Sequence, residues 1–184
     1  MNKIIALVGM PGTGKSVVSD FFELQGYASI YFGGVTMDTM QDKGLEPNEE
    51  NEKRVREELR KKHGMAAYAI LNLPKIDEAL KGGNVIVDGL YSWSEYKVLK
   101  ERFGAQLVVL AIASPRADRY ARLAKRKIRP LSEEQATSRD YAEIENLEKG
   151  GPIAIADLTI INDGTIKDLV NRLEEMFGVE ESEE

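Results

Sequence analysis

The segment Gly9-Met10-Pro11-Gly12-Thr13-Gly14-Lys15-Ser16 brings together the groups needed to hold a polyphosphate. Its glycines let the backbone turn N–H groups inward around phosphate oxygens, and the start of a following helix adds partial positive charge. Lys15 can reach β- and γ-phosphates, and the Ser16 hydroxyl can take a place on Mg²⁺. The apolar run Ile4–Val8 precedes the segment, and a helical pattern through Val17, Val18, Phe21 and Phe22 follows it. A glycine-rich turn that merely caps a helix would not need this spacing, the Lys-Ser pair and the strand–helix context together. The expectation is nucleoside triphosphate binding, with ATP and Mg²⁺ as cofactors and Gly9, Pro11, Gly12, Thr13, Gly14, Lys15, Ser16 and Val17 as contacts.

Asp88 closes a second apolar run, Val85-Ile86-Val87, and is followed by Gly89. A carboxylate there can hold Mg²⁺ or its waters beside Ser16; the alternative is an Asp that caps the next turn. Between Arg116 and Arg126, basic residues recur at helical spacing. Singly each reads as solvated surface. Beside a phosphate loop, Arg122, Arg126 and then Arg119 read as a clamp for charge on a transferring phosphoryl group, with Arg129 beyond the helix in a lid. Arg139 could return to the triphosphate with Asp140 orienting it, or pair with Glu143 at i,i+4. His63, the single histidine, precedes Gly64 and reads as a helix-end cation. Tyr91 and Trp93 could stack on a planar ring or cover the core edge.

These groups must be positioned by short strands at Ile4–Val8, Ala28–Phe32, Val85–Val87, Leu107–Ala113 and Leu158–Ile161. Helical patterns run over 15–24, 47–63, 65–80 with a break near Pro74, 94–103, 115–127, 132–148 and 165–177. Ser94, Ser114, Ser132 and Asp163 or Thr165 are the candidate caps. Alternating strands and helices imply a parallel sheet covered on both faces, an α/β fold. Gly82-Gly83-Asn84 and Gly150-Gly151-Pro152 read as turns. Two insertions, about 33–80 and about 125–148, fall after strands, where ligands bind in open α/β sheets. They suggest an acceptor-binding region and a lid on one domain, 1–178.

The 184 residues suffice for one such domain. A net charge of −6 argues against a polyanion partner such as nucleic acid. Cysteine is absent, and no apolar run approaches the roughly 20 residues that span a bilayer. No signal peptide is read at the N-terminus, so a cytoplasmic protein with a small-molecule partner and no membrane is expected. Residues 179–184 form an acidic tail, expected to fray.

The phosphate loop, Asp88-Gly89, the arginine helix ending near Arg126, and Ala156-Asp157…Ile161-Asn162-Asp163-Gly164 together resemble the P-loop nucleoside monophosphate kinase superfamily. The similarity is closest to dephospho-CoA kinases and to a mainly archaeal group of kinase-like proteins. The resemblance covers Lys3 to about Phe177. It implies a three-layer P-loop NTPase fold with five parallel strands in the order 2-3-1-4-5. It also implies an adenine site near Asn162 and Gly164. The acceptor half departs from the pattern. Dephospho-CoA kinases carry an aspartate soon after the second strand, where this chain reads Tyr31-Phe32-Gly33-Gly34-Val35-Thr36-Met37, with no acid before Asp38. Met37 stands near an expected arginine, and Tyr91 replaces another. Arg54, Arg56 and Arg60 are the candidate replacements, or they form surface ion pairs with Glu52, Glu57 or Glu58. Gly33, Gly34, Arg56, Arg60, Gly89 and Tyr91 are thus the expected acceptor contacts.

The leading expectation is ATP-dependent phosphoryl transfer to a nucleotide-type phosphate acceptor. The alternatives are hydroxyl phosphorylation of the dephospho-CoA kinase kind and a nucleotide-dependent regulatory protein without kinase activity. Phosphorylation of nucleic-acid ends is disfavoured by the acidity of the chain.

Overall fold

Strand β1 (Ile4–Val8) is buried along its whole length, which requires cover on both faces of its sheet. In the computed structural model, which describes residues 1–127 and 130–178, that cover is present. Strands β2 (Ala28–Tyr31), β3 (Val85–Asp88), β4 (Leu107–Ala113) and β5 (Leu158–Ile161) join β1 in a parallel sheet of order β2-β3-β1-β4-β5. The register pairs Leu7 with Asp88 and Leu110, and Tyr31 with Asp88. This is the fold and strand order implied by the resemblance. Arg129 and the acidic tail lie outside the described residues.

The pleat sends successive side chains to opposite faces. Ile4, Ala6 and Val8 join one core with Val85, Val87, Val109 and Phe103. Ile5 and Leu7 join the other, with Phe21, Phe22, Ile112, Leu169 and Leu173. The second core is closed by α1 (Lys15–Leu24) and α9 (Ile166–Phe177), where Phe22 meets Phe177 edge-on at 5.0 Å. Each such buried side chain contributes about 1.5–3 kcal/mol.

The first core is covered by α2 (Gly34–Asp42), α3 (Glu49–His63), α4 (Ala67–Gly82) and α5 (Trp93–Phe103). Helix α2 was not expected, because Gly33 at its N-cap offers no side-chain cap. Burial of Val35, Thr36 and Met40 holds it instead. Helix α3 starts at Asn48, whose side chain accepts from the Asn51 amide, and ends at Gly64 just beyond His63. Helix α4 runs unbroken through Pro74, contrary to the expected interruption. Pro74 cannot donate to the Ile70 carbonyl, and Ile70 is exposed, so water can serve that carbonyl.

Ser92, not Ser94, caps α5, in a capping box with Glu95. Helix α6 (Arg116–Ala124) and helix α7 (Glu133–Glu145) each end three residues before the expected point. Ser132 caps α7 and Thr165 caps α9, both in capping boxes. Gly150-Gly151-Pro152 opens a short helix, α8 (Gly150–Ala154), rather than a plain turn. No helix of the described residues is long and apolar enough to cross a membrane.

Candidate active site

The phosphate loop leaves β1 at Gly9 and enters α1 at Lys15. Gly12 and Gly14 take φ of +84° and +94°, values that L side chains rarely adopt. Three successive carbonyls on the outside of the loop are bonded from elsewhere. Arg119 Nη1 donates to Pro11 O at 3.0 Å, Arg122 Nη1 to Gly12 O at 3.4 Å, and Asn162 Nδ2 to Thr13 O at 2.9 Å. Pinning the carbonyls outward leaves the amides to face the loop interior. Helix α1 has no side-chain cap, and Val17 N donates to Gly14 O at 3.1 Å, which leaves the Lys15 and Ser16 N–H groups at its start for an anion. Lys15 Nζ folds back onto Gly9 O (2.8 Å) and Met10 O (3.2 Å), carbonyls that phosphate oxygens can replace. These features fit a triphosphate.

The basic helix α6 therefore braces the loop. Arg119 is buried, and both its Nη atoms bind the Asp140 carboxylate, at 3.0 and 2.6 Å. Tyr120 OH also donates to Asp140, at 3.2 Å. Asp140 was expected to orient Arg139; it holds Arg119. Arg122 Nη2 reaches Asn162 O (3.1 Å) and Gly164 O (3.4 Å). That puts it on the Asn162–Gly164 side of the loop. Arg126 is exposed, and its pKa is lowered by desolvation and by the nearby Arg139.

Asp88 stands at the end of β3, beside the loop strand. Burial raises its pKa, while Lys15 and Lys149 pull it down. Ser16, exposed at the start of α1, and Asp88 offer two oxygen ligands. Two such oxygens are of the kind that Mg²⁺ takes from a protein when phosphates and water complete its shell. Lys15 is held at about 7, first by burial of its ammonium and then by the charge of Lys149. Glu143, Asp88 and Arg139 also act on it, so α7 and the turn after it bear on the loop.

That turn contains Lys149, which sequence reasoning passed over. It is 1% exposed. Its Nζ lies 2.5 Å from Glu143 Oε2 and 5.3 Å from the centre of the Tyr91 ring. Arg139 Nε donates to the same Glu143, at 3.2 Å, the i,i+4 pairing being one of the two readings of that residue. A lysine in the polar stretch Glu-Lys-Gly-Gly gives no sequence signal of burial.

A cleft of about 540 Å³ lies between α2–α4 and α7, lined among others by Gly33, Met37, Arg56, Arg60, Tyr91 and Arg139. Gly33 and Gly89 make room for its aromatic wall. A Cβ at Gly33 would come within 2.3 Å of the Tyr31 ring, and one at Gly89 within 2.8 Å of Tyr91. Gly34 has no such close approach. The Tyr91 hydroxyl pairs with Tyr31, and burial raises its pKa well above the usual value. Thr36 and Tyr68 share a hydroxyl hydrogen bond of 2.7 Å.

Arg56 is bound by Glu49 (2.9 Å) and Glu52 (3.3 Å). Arg60 stacks over the Tyr68 ring at 5.4 Å, and its Nε is buried with no hydrogen-bond partner. Arg54 is exposed on α3 and does not line the cleft. Nor does Trp93, which stacks on Tyr96 with ring centres 5.0 Å apart. Asp38 pairs with Lys75 at the surface. Behind the tyrosines, Glu95 is fully buried, accepts from the Tyr91 and Ser92 amides, and is pushed up to about 7, chiefly by burial.

Comparison with known proteins matches residues 5–150 to an AAA domain. A UPF0200 protein of Thermococcus onnurineus is 34% identical over 177 residues, covering 94% of this chain and 95% of the relative. One from Aeropyrum pernix is 35% identical over 168 residues, covering 90% and 87%. A UPF0200/UPF0201 protein of Archaeoglobus fulgidus is 33% identical, and there this chain spans 55% of the relative's length. Among solved structures, shikimate kinase from Bacteroides thetaiotaomicron superposes with a TM-score of 0.62 at 15% identity, covering 96% and 99% of the two chains. A gluconokinase from Sinorhizobium meliloti gives 0.56 at 15% identity, covering 92% and 87%. At such identities the likeness concerns the fold: it is that of P-loop kinases.

Proposed function

Because this chain belongs to the AAA-domain family and to the UPF0200 proteins, we propose that it transfers the γ-phosphoryl group of ATP to a small, phosphate-bearing acceptor of nucleotide type. The observation that carries this reading is the cleft whose wall holds both Arg60, fixed over the Tyr68 ring, and Arg139. An arginine held in place by ring stacking on the wall of a cleft is preorganised to take an anionic acceptor.

In this reading the loop amides and Lys15 hold the donor phosphates, and Asn162 and Gly164 border the base. Ser16 and Asp88 would hold Mg²⁺, which would supply charge neutralisation. An acceptor phosphate oxygen, already anionic at neutral pH, attacks the γ-phosphorus, the bond to the β–γ bridging oxygen breaks, and ADP leaves. No strong base is required, in keeping with Asp38 turned to Lys75. Residues 33–80 form the acceptor region and 125–148 the lid, on a single domain of residues 1–178. Arg122 acts through the loop it braces, and Arg139 is the lid arginine that lines the cleft. Arg126, exposed near Arg139, would join only on closure. The reading places the protein in the cytoplasm with a small-molecule partner, and neither nucleic acid nor membrane.

A second reading, a hydroxyl acceptor, is favoured by the carboxylates of Glu49, Glu52 and Glu143 along the cleft, since one of them could take the proton. ADP release with ATP and Mg²⁺ across nucleoside and deoxynucleoside monophosphates and dephospho-CoA separates the two, with Lys15→Ala as control. Turnover of monophosphates supports the leading reading. Turnover confined to dephospho-CoA supports the second, and hydrolysis indifferent to every acceptor rejects both.

A further inference from the structure

Lys149 is a lysine with almost no access to water, and such burial is costly unless the charge is well satisfied. Its ammonium carries three donors. One is used by Glu143 Oε2, and Tyr91 offers only the face of its ring. Glu143 is shared: Arg139 binds its other oxygen, so the carboxylate keeps a cation if Lys149 leaves. Glu148, immediately before Lys149, is the one non-glycine of positive φ among the described residues, at 52°. The backbone is thus bent into a sparsely populated conformation at the residue that introduces Lys149. Both partners of Lys149, Glu143 and Tyr91, line the cleft, and its charge acts on Lys15 and Asp88. It stands between the donor loop and the acceptor cleft.

We propose that Lys149 is a further phosphate-binding residue, and that Glu143 occupies it until a phosphoryl dianion arrives and takes it over. The dianion is either the γ-phosphoryl of the donor or the phosphate of the acceptor, which share the chemistry that an ammonium recognises. Arg139 stays on Glu143 during the exchange, so no bare carboxylate is left in the wall of the cleft. The inference rests on the nucleotide-binding reading above.

The two residues then have opposite effects. Lys149→Met removes the cation while filling its space, and Glu143→Gln removes the competitor. Calorimetric titration in Mg²⁺ with ADP, with the non-hydrolysable analogue AMP-PNP, and with inorganic phosphate on AMP-PNP-loaded protein separates the sources. Lys149→Met should weaken one of the other two arms by about tenfold relative to any change in the ADP arm, the worth of one charge-assisted hydrogen bond. A loss in the AMP-PNP arm assigns Lys149 to the donor, and a loss in the phosphate arm to the acceptor. Glu143→Gln should tighten the same arm. If both variants shift that arm in one direction, or neither shifts it, the pair is only structural and the proposal is overturned. Should Lys149→Met fail to fold, Glu143→Gln decides alone: a gain supports the exchange, and a loss or no change rejects it. Absence of ADP binding by the unaltered protein would remove the nucleotide reading, and this inference with it.

Discussion

Arg119 and Asp140 form a two-point ion pair, 3.0 and 2.6 Å, with both side chains at least nine-tenths buried. It ties α6 to α7, and through Arg119 Nη1 on Pro11 O it also ties both to the phosphate loop. Helix α7 and the loop are therefore joined through one buried ion pair.

Removing one partner should be far worse than removing both. Asp140→Ala leaves a buried guanidinium uncompensated and should cost about 3–5 kcal/mol in urea unfolding, while Arg119→Met with Asp140→Leu should recover most of it. Equal destabilisation by the single and double variants would show that the charges do not depend on each other.

Gly12→Ala tests the brace from the loop side. Its φ of +84° disfavours a side chain, and a Cβ would lie 2.7 Å from Arg119 O. A loss of about 1–2 kcal/mol of stability is expected from the backbone alone, together with weaker ADP binding. Unchanged ADP affinity by calorimetry would mean that the loop is not held as described.

Glu95 sets a pH dependence. Its folded pKa of about 7 lies above the ordinary 4.5, so between those values the folded chain holds a proton that the unfolded chain has released. The contribution of Glu95 to stability should therefore be full below about pH 4.5, fall as pH rises toward 7 and level off above. The total effect is at most about 3 kcal/mol. Urea unfolding of the protein and of Glu95→Gln between pH 4.5 and 8 isolates the slope, and parallel curves would contradict the assignment.

Arg60→Met should raise the KM for the phosphate acceptor about tenfold, the effect of one lost hydrogen bond to a charged group, with the KM for ATP unchanged. Steady-state ADP release with either substrate varied makes the measurement. An equal rise in both constants would place Arg60 outside the acceptor site.

The placement of the phosphate loop was legible because its pattern is written in consecutive residues. Gly9 to Ser16 follow β1 directly, and an apolar strand ending in Asp88 declares itself. The sheet was legible for the same reason, since five short apolar runs alternate with helical patterns. What escaped was set by tertiary contact. Helix α2 has no cap and forms because Val35 and Met40 find a core. The α6 arginines share a helical spacing, yet Arg119 and Arg122 turn to backbone carbonyls whose position no local pattern reveals. Lys149 reads as a turn lysine, because nothing near it in the chain announces that Tyr91 and Glu143 enclose it.

The phosphate loop springs from β1, the central strand, which is hydrogen-bonded to β3 on one side and β4 on the other. Exposing β1 means opening the whole sheet, so amide exchange there should require global unfolding. The cleft wall formed by α3 lies outside the sheet, without the buried tie that joins α7 to the loop, and can open in smaller, cheaper fluctuations. The two halves of the site thus have separate local stabilities. Substitutions that reshape the cleft can accumulate without loosening the strand that presents the loop, so the cleft can diverge while the loop persists.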